Sequence, residues 1–143
     1  MTVATILSGK GRDVVTTSAT ISVGEAVDLL ARHRIGALVV VERNDHIVGI
    51  VSERDVVRLM ATHGAGARQQ PVESIMTRSV MTCSEQETID SVMSRMTRGR
   101  FRHLPVAAGG RLTGIISIGD VVKARIEQVD REAEDMRADI ATA

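Results

Sequence analysis

Two serine–aspartate pairs are the residues whose types and spacing could bind a ligand. Ser52 and Asp55 lie in the segment G-I-V-S-E-R-D, and Ser117 and Asp120 lie in G-I-I-S-I-G-D, 65 residues later. In each copy two β-branched residues precede the serine, which favours a strand, and Ser-x-x-Asp is a helix-start pattern. We therefore predict that each copy is a junction at which a buried strand runs directly into a helix.

Such a junction could bind a phosphorylated nucleoside. The first N–H groups of a helix lack partners within the helix and carry partial positive charge, so this end stabilises a phosphate. A serine hydroxyl can donate to that phosphate, and an aspartate is a natural acceptor for the two hydroxyls of a ribose. The alternative is that both pairs are only helix caps, as Ser22 and Glu25 would be. Duplication at matched positions favours the ligand interpretation, although a duplicated scaffold would also duplicate its caps.

The elements that position these junctions are duplicated too. Apolar positions recur at a spacing of 66 residues through the first strand of a predicted hairpin and of 65 residues from Gly49 onward. The first copy therefore has one extra residue in the hairpin turn. Each copy is predicted to run strand, helix, strand, strand, helix. In the first copy the predicted elements are residues 14–17, 23–33, 37–41, 47–51 and 53–63. The first strand of the second copy is predicted at the matched residues 80–82. One such unit is too small to bury its sheet, so we expect the two to pack with pseudo-two-fold symmetry.

The predicted organisation has four segments. Residues 1–63 form the first repeat with a helical lead-in, 64–71 a glycine-containing linker closed by Pro71, 72–125 the second repeat, and 126–143 a helical extension. The extension carries a heptad stripe of apolar residues: Val122, Ile126, Val129, Ala133, Met136 and Ile140. A narrow apolar stripe on a charged helix favours contact with another helix, so we expect a homodimer aided by this helix. The alternative is that the helix packs back on its own domain.

Composition limits the classes of partner. Apolar residues make up 43% and charged residues 25% of the 143 residues, and 18 basic residues balance 18 acidic ones. A zero net charge gives no general attraction to nucleic acid or to an anionic membrane, and a single aromatic residue, Phe101, provides no stacking platform for single-stranded nucleic acid. The sequence lacks a span-length apolar run, a signal-peptide pattern and a second cysteine, so we expect a cytoplasmic protein.

Residues for other chemistry are scarce. The four histidines have no i, i+4 pairing and no cysteine at ligand spacing, so we expect no metal site. Cys83 has no identifiable base nearby and is interpreted as a buried thiol rather than a nucleophile. The segment Ser-Gly-Lys-Gly at residues 8–11 lacks the spacing of a phosphate loop and is interpreted as a turn. An enzyme is therefore not expected.

These residues resemble a known family, the tandem pair of CBS domains, the module named after cystathionine beta-synthase. The resemblance covers residues 3–125 and is carried by the repeat order, I-G-A-L-V-V at 35–40, F-R-H-L-P-V at 101–106, I-M-T at 75–77 and the two junctions. It implies an α/β fold of the α+β type, with two pseudo-symmetric βαββα repeats in a Bateman-type module and an extended C-terminal helix. It also implies clefts between the repeats that bind AMP, ADP, ATP, NAD or S-adenosylmethionine.

The resemblance also implies roles for individual residues. It assigns Asp55 and Asp120 to ribose hydroxyls, and Ser52 and Ser117 to the phosphate side of each cleft. The residues implied around the adenine are Thr16, Ile35, Ala37, Thr82 and Pro105.

The two copies differ at basic positions. Arg102 and His103 stand where the first copy has Gly36 and Ala37, and Gly119 stands where the first copy has Arg54. Basic residues at the position of Arg102 and His103 resemble phosphate partners of the family, which would recognise charge. The alternatives are that Arg102 is only a solvated strand residue and that His103 is only a half-buried histidine with its hydrogen bonds satisfied. We expect two clefts that are not equivalent.

The function predicted from these features is a stand-alone regulatory module. It would bind an adenine nucleotide, AMP before the others, without turning it over, and pass occupancy to an unidentified regulated protein. The alternative is a structural dimerisation scaffold. Retention of both serine and aspartate in both copies favours the sensor, because a scaffold needs a cap but not a ribose carboxylate.

Overall fold

The computed structural model describes residues 1–142. The helices are α1 (Val3–Lys10), α2 (Val23–His33), α3 (Glu53–His63), α4 (Ile89–Gly99) and α5 (Ile118–Thr142). The strands are β1 (Thr16–Thr17), β2 (Ala37–Val41), β3 (Ile47–Ser52), β4 (His103–Ala108) and β5 (Arg111–Ser117). Short 3₁₀ turns cover Arg43–Asp45, Gly64–Gln69 and Val72–Ser74. The predicted α+β fold with an extended C-terminal helix is confirmed.

The chain divides into two compact units. The first-repeat unit comprises Asp13–Thr82 together with Ala107–Thr113, the tip of the β4–β5 hairpin. The second-repeat unit comprises Met1–Arg12, Cys83–Val106 and the chain from Gly114 onward. Each unit has its own cluster of buried apolar side chains.

The first-repeat unit is built on a three-stranded sheet in the order β1-β2-β3. β1 runs parallel to β2 with Thr16 beside Val39, and β3 runs antiparallel to β2 with Ser52 beside Ala37. Residues 37–40 of the central strand are all buried, because an unbroken apolar run has neighbours on both of its faces. The strand that carries the first junction is therefore held in register by the core.

The second-repeat unit contains a shorter sheet than predicted. β4 and β5 pair as a hairpin through Gly109 and Gly110, but the strand predicted at residues 80–82 is not formed, and Cys83 makes a single bridge to Val106. In the first repeat Thr16 pairs with Val39, and the residue matched to Val39 is Pro105. Proline has no N–H to donate, so the second copy of this ladder lacks one hydrogen bond.

The two lead-in segments are exchanged between the units. Helix α1, which precedes the first repeat in sequence, lies in the second-repeat unit, where the Ala4 N–H donates to the Glu85 carbonyl at 2.9 Å. Residues 72–76, which precede the second repeat, lie in the first-repeat unit, where the Val72 N–H donates to the Ile21 carbonyl at 2.9 Å. Each unit therefore combines one repeat with the lead-in of the other.

This exchange explains the glycine that opens each junction motif. A Cβ on Gly114 would lie 2.9 Å from both methyl groups of Leu7, and a Cβ on Gly49 would lie 2.6 Å from the sulfur of Met76. Contacts this short do not occur between real side chains, so the lead-in can pack here only against a residue without a Cβ.

The C-terminal helix leaves its apolar stripe open. α5 begins at Ile118 as predicted and continues for 25 residues. Five of the six predicted stripe positions are exposed large apolar side chains: Val122, Ile126, Val129, Met136 and Ile140. Among residues 1–142 no helix combines the length and the apolar character that crossing a membrane requires.

Candidate functional site

The first junction is the end of β3 and the start of α3. Ser52 has an extended backbone and caps α3, and its side-chain oxygen accepts the N–H of Asp55 at 3.3 Å. In return, Oδ2 of the Asp55 carboxylate accepts the Ser52 N–H at 2.8 Å and the Ser52 hydroxyl at 3.0 Å. The Glu53 N–H donates to the Gly36 carbonyl at 3.0 Å, which ties the start of the helix to the start of β2.

The second junction repeats this arrangement at the end of β5 and the start of α5. The Asp120 N–H donates to the Ser117 hydroxyl oxygen at 3.2 Å, and the Ser117 N–H donates to Asp120 Oδ2 at 2.8 Å. The Ile118 N–H donates to the Arg102 carbonyl at 2.8 Å, which matches the bond from Glu53 to Gly36. The capping boxes that the sequence left as an alternative are therefore formed in both copies.

A capping role leaves room for a ligand. In both copies the capping bonds end on Oδ2, and no hydrogen bond among residues 1–142 ends on Oδ1 of Asp55 or Asp120. A carboxylate oxygen has two lone pairs, so each Oδ1 can accept the hydroxyls of a diol while the other oxygen remains in the cap. Both aspartate residues are half-buried, so each is partly accessible.

A lysine distinguishes the second junction. Lys10, the last residue of α1, donates from Nζ to Asp120 Oδ2 at 2.7 Å and to the Ile115 carbonyl at 3.0 Å. The turn predicted at residues 8–11 is wrong, because residues 8–10 are the last turn of α1. No local pattern indicates the contact, since its partners lie 110 residues apart in sequence.

The lysine changes the electrostatics of the carboxylate. Burial alone raises the pKa of Asp120, but the Lys10 hydrogen bond, the Ser117 N–H and the Lys10 charge outweigh it, so this pKa is lowered below its ordinary value. At the first junction the nearest cation in sequence, Arg54, is exposed and forms no ion pair among the described residues. Among the described residues, Asp120 therefore carries a bound cation and Asp55 does not.

The other residues assigned to the first cleft differ in how close they lie to Ser52. Ala37 is buried directly beside Ser52 in the β2–β3 ladder. Ile35 is half-buried and precedes β2, with its N–H donated to the Leu30 carbonyl at 3.1 Å. Thr16 lies one strand away in β1. The first-repeat unit thus brings Ser52, Asp55 and Ala37 together and places Thr16 at the opposite edge of β2.

At the second junction the basic residues lie close to the start of α5. Arg102 has an exposed side chain and holds the Ile118 N–H through its carbonyl, and His103 follows as the half-buried first residue of β4. Pro105 is buried, and its carbonyl accepts the Cys83 N–H at 3.0 Å. Thr82 is half-buried and belongs to the first-repeat unit.

Other parts of the described chain provide little further chemistry. Within residues 1–142 there is no cluster of three or more His, Cys, Asp or Glu side chains that could hold a metal ion. Burial and the nearby Glu87 charge raise the pKa of Cys83 to about 12, so this thiol is neutral at physiological pH. A cavity of about 760 Å³ in the first-repeat unit lies at the hairpin turn, at the opposite end of β2 and β3 from Ser52.

A comparison with protein families identifies the repeats. The model of the CBS domain matches residues 10–62 and 72–127. The CBS domain-containing protein CBSX3 of Arabidopsis thaliana, a mitochondrial protein, is 33% identical over 121 residues, which cover 82% of this chain but 59% of that protein.

Solved structures of the same kind are similar over nearly the whole chain. The CBS-domain containing protein ATU1752 from Agrobacterium tumefaciens is 51% identical with a TM-score of 0.83, covering 87% of this chain and 92% of its own. The CBS domain pair of MJ0100, in complex with 5-methylthioadenosine and S-adenosyl-L-methionine, is 28% identical with a TM-score of 0.79. The match covers 90% of this chain and 98% of that one. CBSX2 in complex with AMP is 27% identical with a TM-score of 0.71, covering 80% and 89%.

Both repeats of the family are therefore present, each with its strand-to-helix junction intact, and the chain belongs to the CBS domain family as a tandem CBS pair.

Proposed function

We propose that this chain is a regulatory module that binds adenosine-containing nucleotides at its two junctions without turning them over. AMP is the favoured ligand, with ATP, ADP or NAD as alternatives, and occupancy of the junctions signals energy or redox state to a regulated protein in the cytoplasm. The residues assigned to the ligand are those around the junctions: Thr16, Ile35, Ala37, Ser52, Arg54, Asp55, Thr82, Arg102, His103, Pro105, Ser117 and Asp120.

The observation that carries this proposal is the matched geometry of the two capping boxes. In both copies Oδ2 of the aspartate accepts the capping bond and Oδ1 remains an open acceptor. The Ser117 hydroxyl can also donate to a ligand, whereas the Ser52 hydroxyl donates to Asp55 Oδ2. A ribose diol can bind the open oxygen while a phosphate meets the positive end of the helix dipole. A cap alone does not require an aspartate, because glutamate and glutamine form the same box.

The ligands of related pairs support the chemical class. CBSX2 is described in complex with AMP, and the MJ0100 pair in complex with 5-methylthioadenosine and S-adenosyl-L-methionine. All three ligands carry adenosine, and AMP alone among them carries a phosphate. Arg102 and the helix starts provide positive charge for that group, which is why AMP is preferred here.

Calorimetric and thermal-shift titration of the full chain with AMP, adenosine, ATP and NAD tests the proposal. Ligand at about 100 times its Kd adds about 2.7 kcal/mol to stability, so even modest affinity gives a measurable rise in Tm. We expect AMP to stabilise the protein, and we expect the double variant Asp55→Ala, Asp120→Ala to abolish that effect. No stabilisation by any adenosine ligand would overturn the sensor proposal.

Glu25→Ala is the control for loss of an acidic side chain at the third position of a capped helix. Glu25 occupies the same third position of a helix, and its N–H donates to the cap Ser22 at 3.1 Å, yet it lies outside both junctions. We expect the control to lose a small amount of stability and to bind AMP as the wild type does. Loss of AMP binding in the control would mean that the aspartate variants act through folding.

A scaffold function is the second candidate, and the exposed apolar side chains favour a dimer in either case. Val57 and Val122 occupy the same position in α3 and α5, and they are 65% and 42% exposed. We propose a homodimer that covers these helices, with α5 assisting. Sedimentation equilibrium at micromolar concentration tests this, and a monomer would contradict it.

A further inference from the structure

The contact between Lys10 and Asp120 joins the N-terminal helix to the carboxylate assigned to ribose. Lys10 lies at the end of α1, and the two side chains are 34% and 26% exposed. Nζ lies 2.7 Å from Oδ2 and 3.0 Å from the Ile115 carbonyl oxygen, so two of the three ammonium N–H groups are donated. The third N–H is available to a ligand.

The ion pair sets what the second junction can accept. Paired with Lys10, the Asp120 carboxylate is neutralised and no longer repels a phosphate at the start of α5. A phosphorylated ligand also offers the ammonium a second anionic acceptor. A neutral nucleoside offers the ammonium no anionic acceptor.

We propose that Lys10 is the specificity-determining residue of the second junction and makes it selective for phosphorylated over unphosphorylated nucleosides. This inference rests on the proposed nucleotide-binding function. Lys10 reads the phosphate through its free N–H and its charge, whereas Asp120 reads the diol through Oδ1. The first junction has no cation bound to Asp55 among the described residues, so its discrimination between the two ligand classes is weaker.

Titration of Lys10→Met with AMP and with adenosine tests the proposal. The variant is made in an Asp55→Ala background, so that binding reports on the second junction. Loss of a hydrogen bond to a charged group predicts that AMP affinity falls about tenfold or more, whereas adenosine affinity falls by less than about threefold or rises. Lys10→Arg keeps a cation at this position and should retain most of the selectivity.

Lys123→Met is the charge-matched control. The chain has two lysines, and Lys123 is exposed on α5 without a bond to Asp120. We expect this control to leave the ratio of AMP to adenosine affinity unchanged. An equal loss in both lysine variants would mean that net charge, and not the ion pair, controls selectivity, and would overturn the proposal.

The two lysines also allow a direct spectroscopic measurement. In full-length protein labelled with ¹³C only in lysine, the ε-methylene signals of Lys10 and Lys123 are assigned from their disappearance in Lys10→Arg and Lys123→Met. AMP should shift the Lys10 signal and leave the Lys123 signal in place, and adenosine should shift the Lys10 signal less. This readout does not depend on whether Lys10→Met folds.

The outcomes separate the two proposals. If the wild type binds neither AMP nor adenosine, the proposed function fails. If AMP binds but the Lys10 signal does not move and Lys10→Met keeps the affinity ratio, the nucleotide-binding proposal stands and the role of Lys10 is wrong.

Discussion

The two strand-to-helix junctions have the same backbone and different charges. Both have a serine cap, an aspartate that returns a bond through Oδ2, and a helix start tied to the preceding strand. Only the second holds an ammonium on its carboxylate among the described residues, and only the second has an arginine at the start of the neighbouring strand. Local sequence thus gives the two junctions the same backbone geometry, and side chains from other segments give them different charges.

The helices that leave the junctions differ as well. α3 ends at His63 after 11 residues, whereas α5 continues for 25 residues. Both expose a valine at the same position, but α3 adds one further exposed apolar side chain, Met60, whereas α5 adds four: Ile126, Val129, Met136 and Ile140. The first helix closes its repeat, and the second extends beyond what its repeat requires.

Arg102→Ala should give the largest difference between the junctions. If the guanidinium binds phosphate, AMP binding at the second junction weakens by roughly 1.5–3 kcal/mol, because a hydrogen bond to a charged group is lost. Calorimetry in Asp55→Ala and Asp120→Ala backgrounds measures each junction separately. Arg98→Ala, an exposed arginine of α4, is the control. Equal weakening at both junctions would contradict the assignment.

Gly114→Ala tests the packing behind the second junction. The new methyl group would meet Leu7, which is buried, so we expect a loss of about 1–3 kcal/mol in the free energy of unfolding. Gly49→Ala should cost less, because the first atom it meets belongs to the flexible Met76 side chain. Urea unfolding measures both. If Leu7→Ala does not offset part of the Gly114→Ala loss, steric contact with Leu7 is not the cause.

Truncation after Arg125 tests the difference in helix length. It removes exposed apolar side chains of α5 and leaves the second junction in place. Burial of one such side chain stabilises by about 1.5–3 kcal/mol, so we expect the dimer Kd to rise by about tenfold or more. Sedimentation velocity measures the change, and AMP titration of the truncated chain should still show binding. An unchanged dimer Kd would place the interface elsewhere.

Acid titration should show the smallest effect. The pKa of Asp120 is lowered in the folded state, so its stabilisation is present above the ordinary value of 3.8 and is lost as pH falls through the lowered value. At neutral pH the free energy of unfolding of the wild type should exceed that of Lys10→Met by at most about 1 kcal/mol, as is usual for exposed ion pairs. Urea unfolding from pH 7 to pH 2 should show this difference shrinking. A constant difference would mean that Lys10 acts by packing alone.

Much of the fold could be predicted because its signals are local. The bounds of α2 and α3 agree with the apolar periodicity and the caps, and α5 begins at the residue the second motif indicates. Both serine–aspartate pairs form the boxes that their spacing indicates, since the partners are three residues apart. The prediction of a strand at residues 80–82 is wrong, because strand propensity takes no account of the matched partner, Pro105, which has no N–H to donate.

The candidate site was predictable only in part. The duplicated motifs located Ser52, Asp55, Ser117 and Asp120, and the register then placed Ala37 beside Ser52. Lys10 was missed, because the glycines on either side of it favour a turn, which is how residues 8–11 are interpreted from the sequence. Nothing in its own neighbourhood points to a carboxylate 110 residues away.

The sequence by itself determined the repeat, the order of elements, the two capped helix starts and the apolar stripe of α5, because each depends on residues within one or two turns of each other. Tertiary structure alone decided which unit each lead-in joins, why Gly49 and Gly114 must lack a side chain, and which aspartate receives a cation. Those outcomes depend on contacts between segments far apart in the chain, and the free energy of such contacts is set by packing in the folded state.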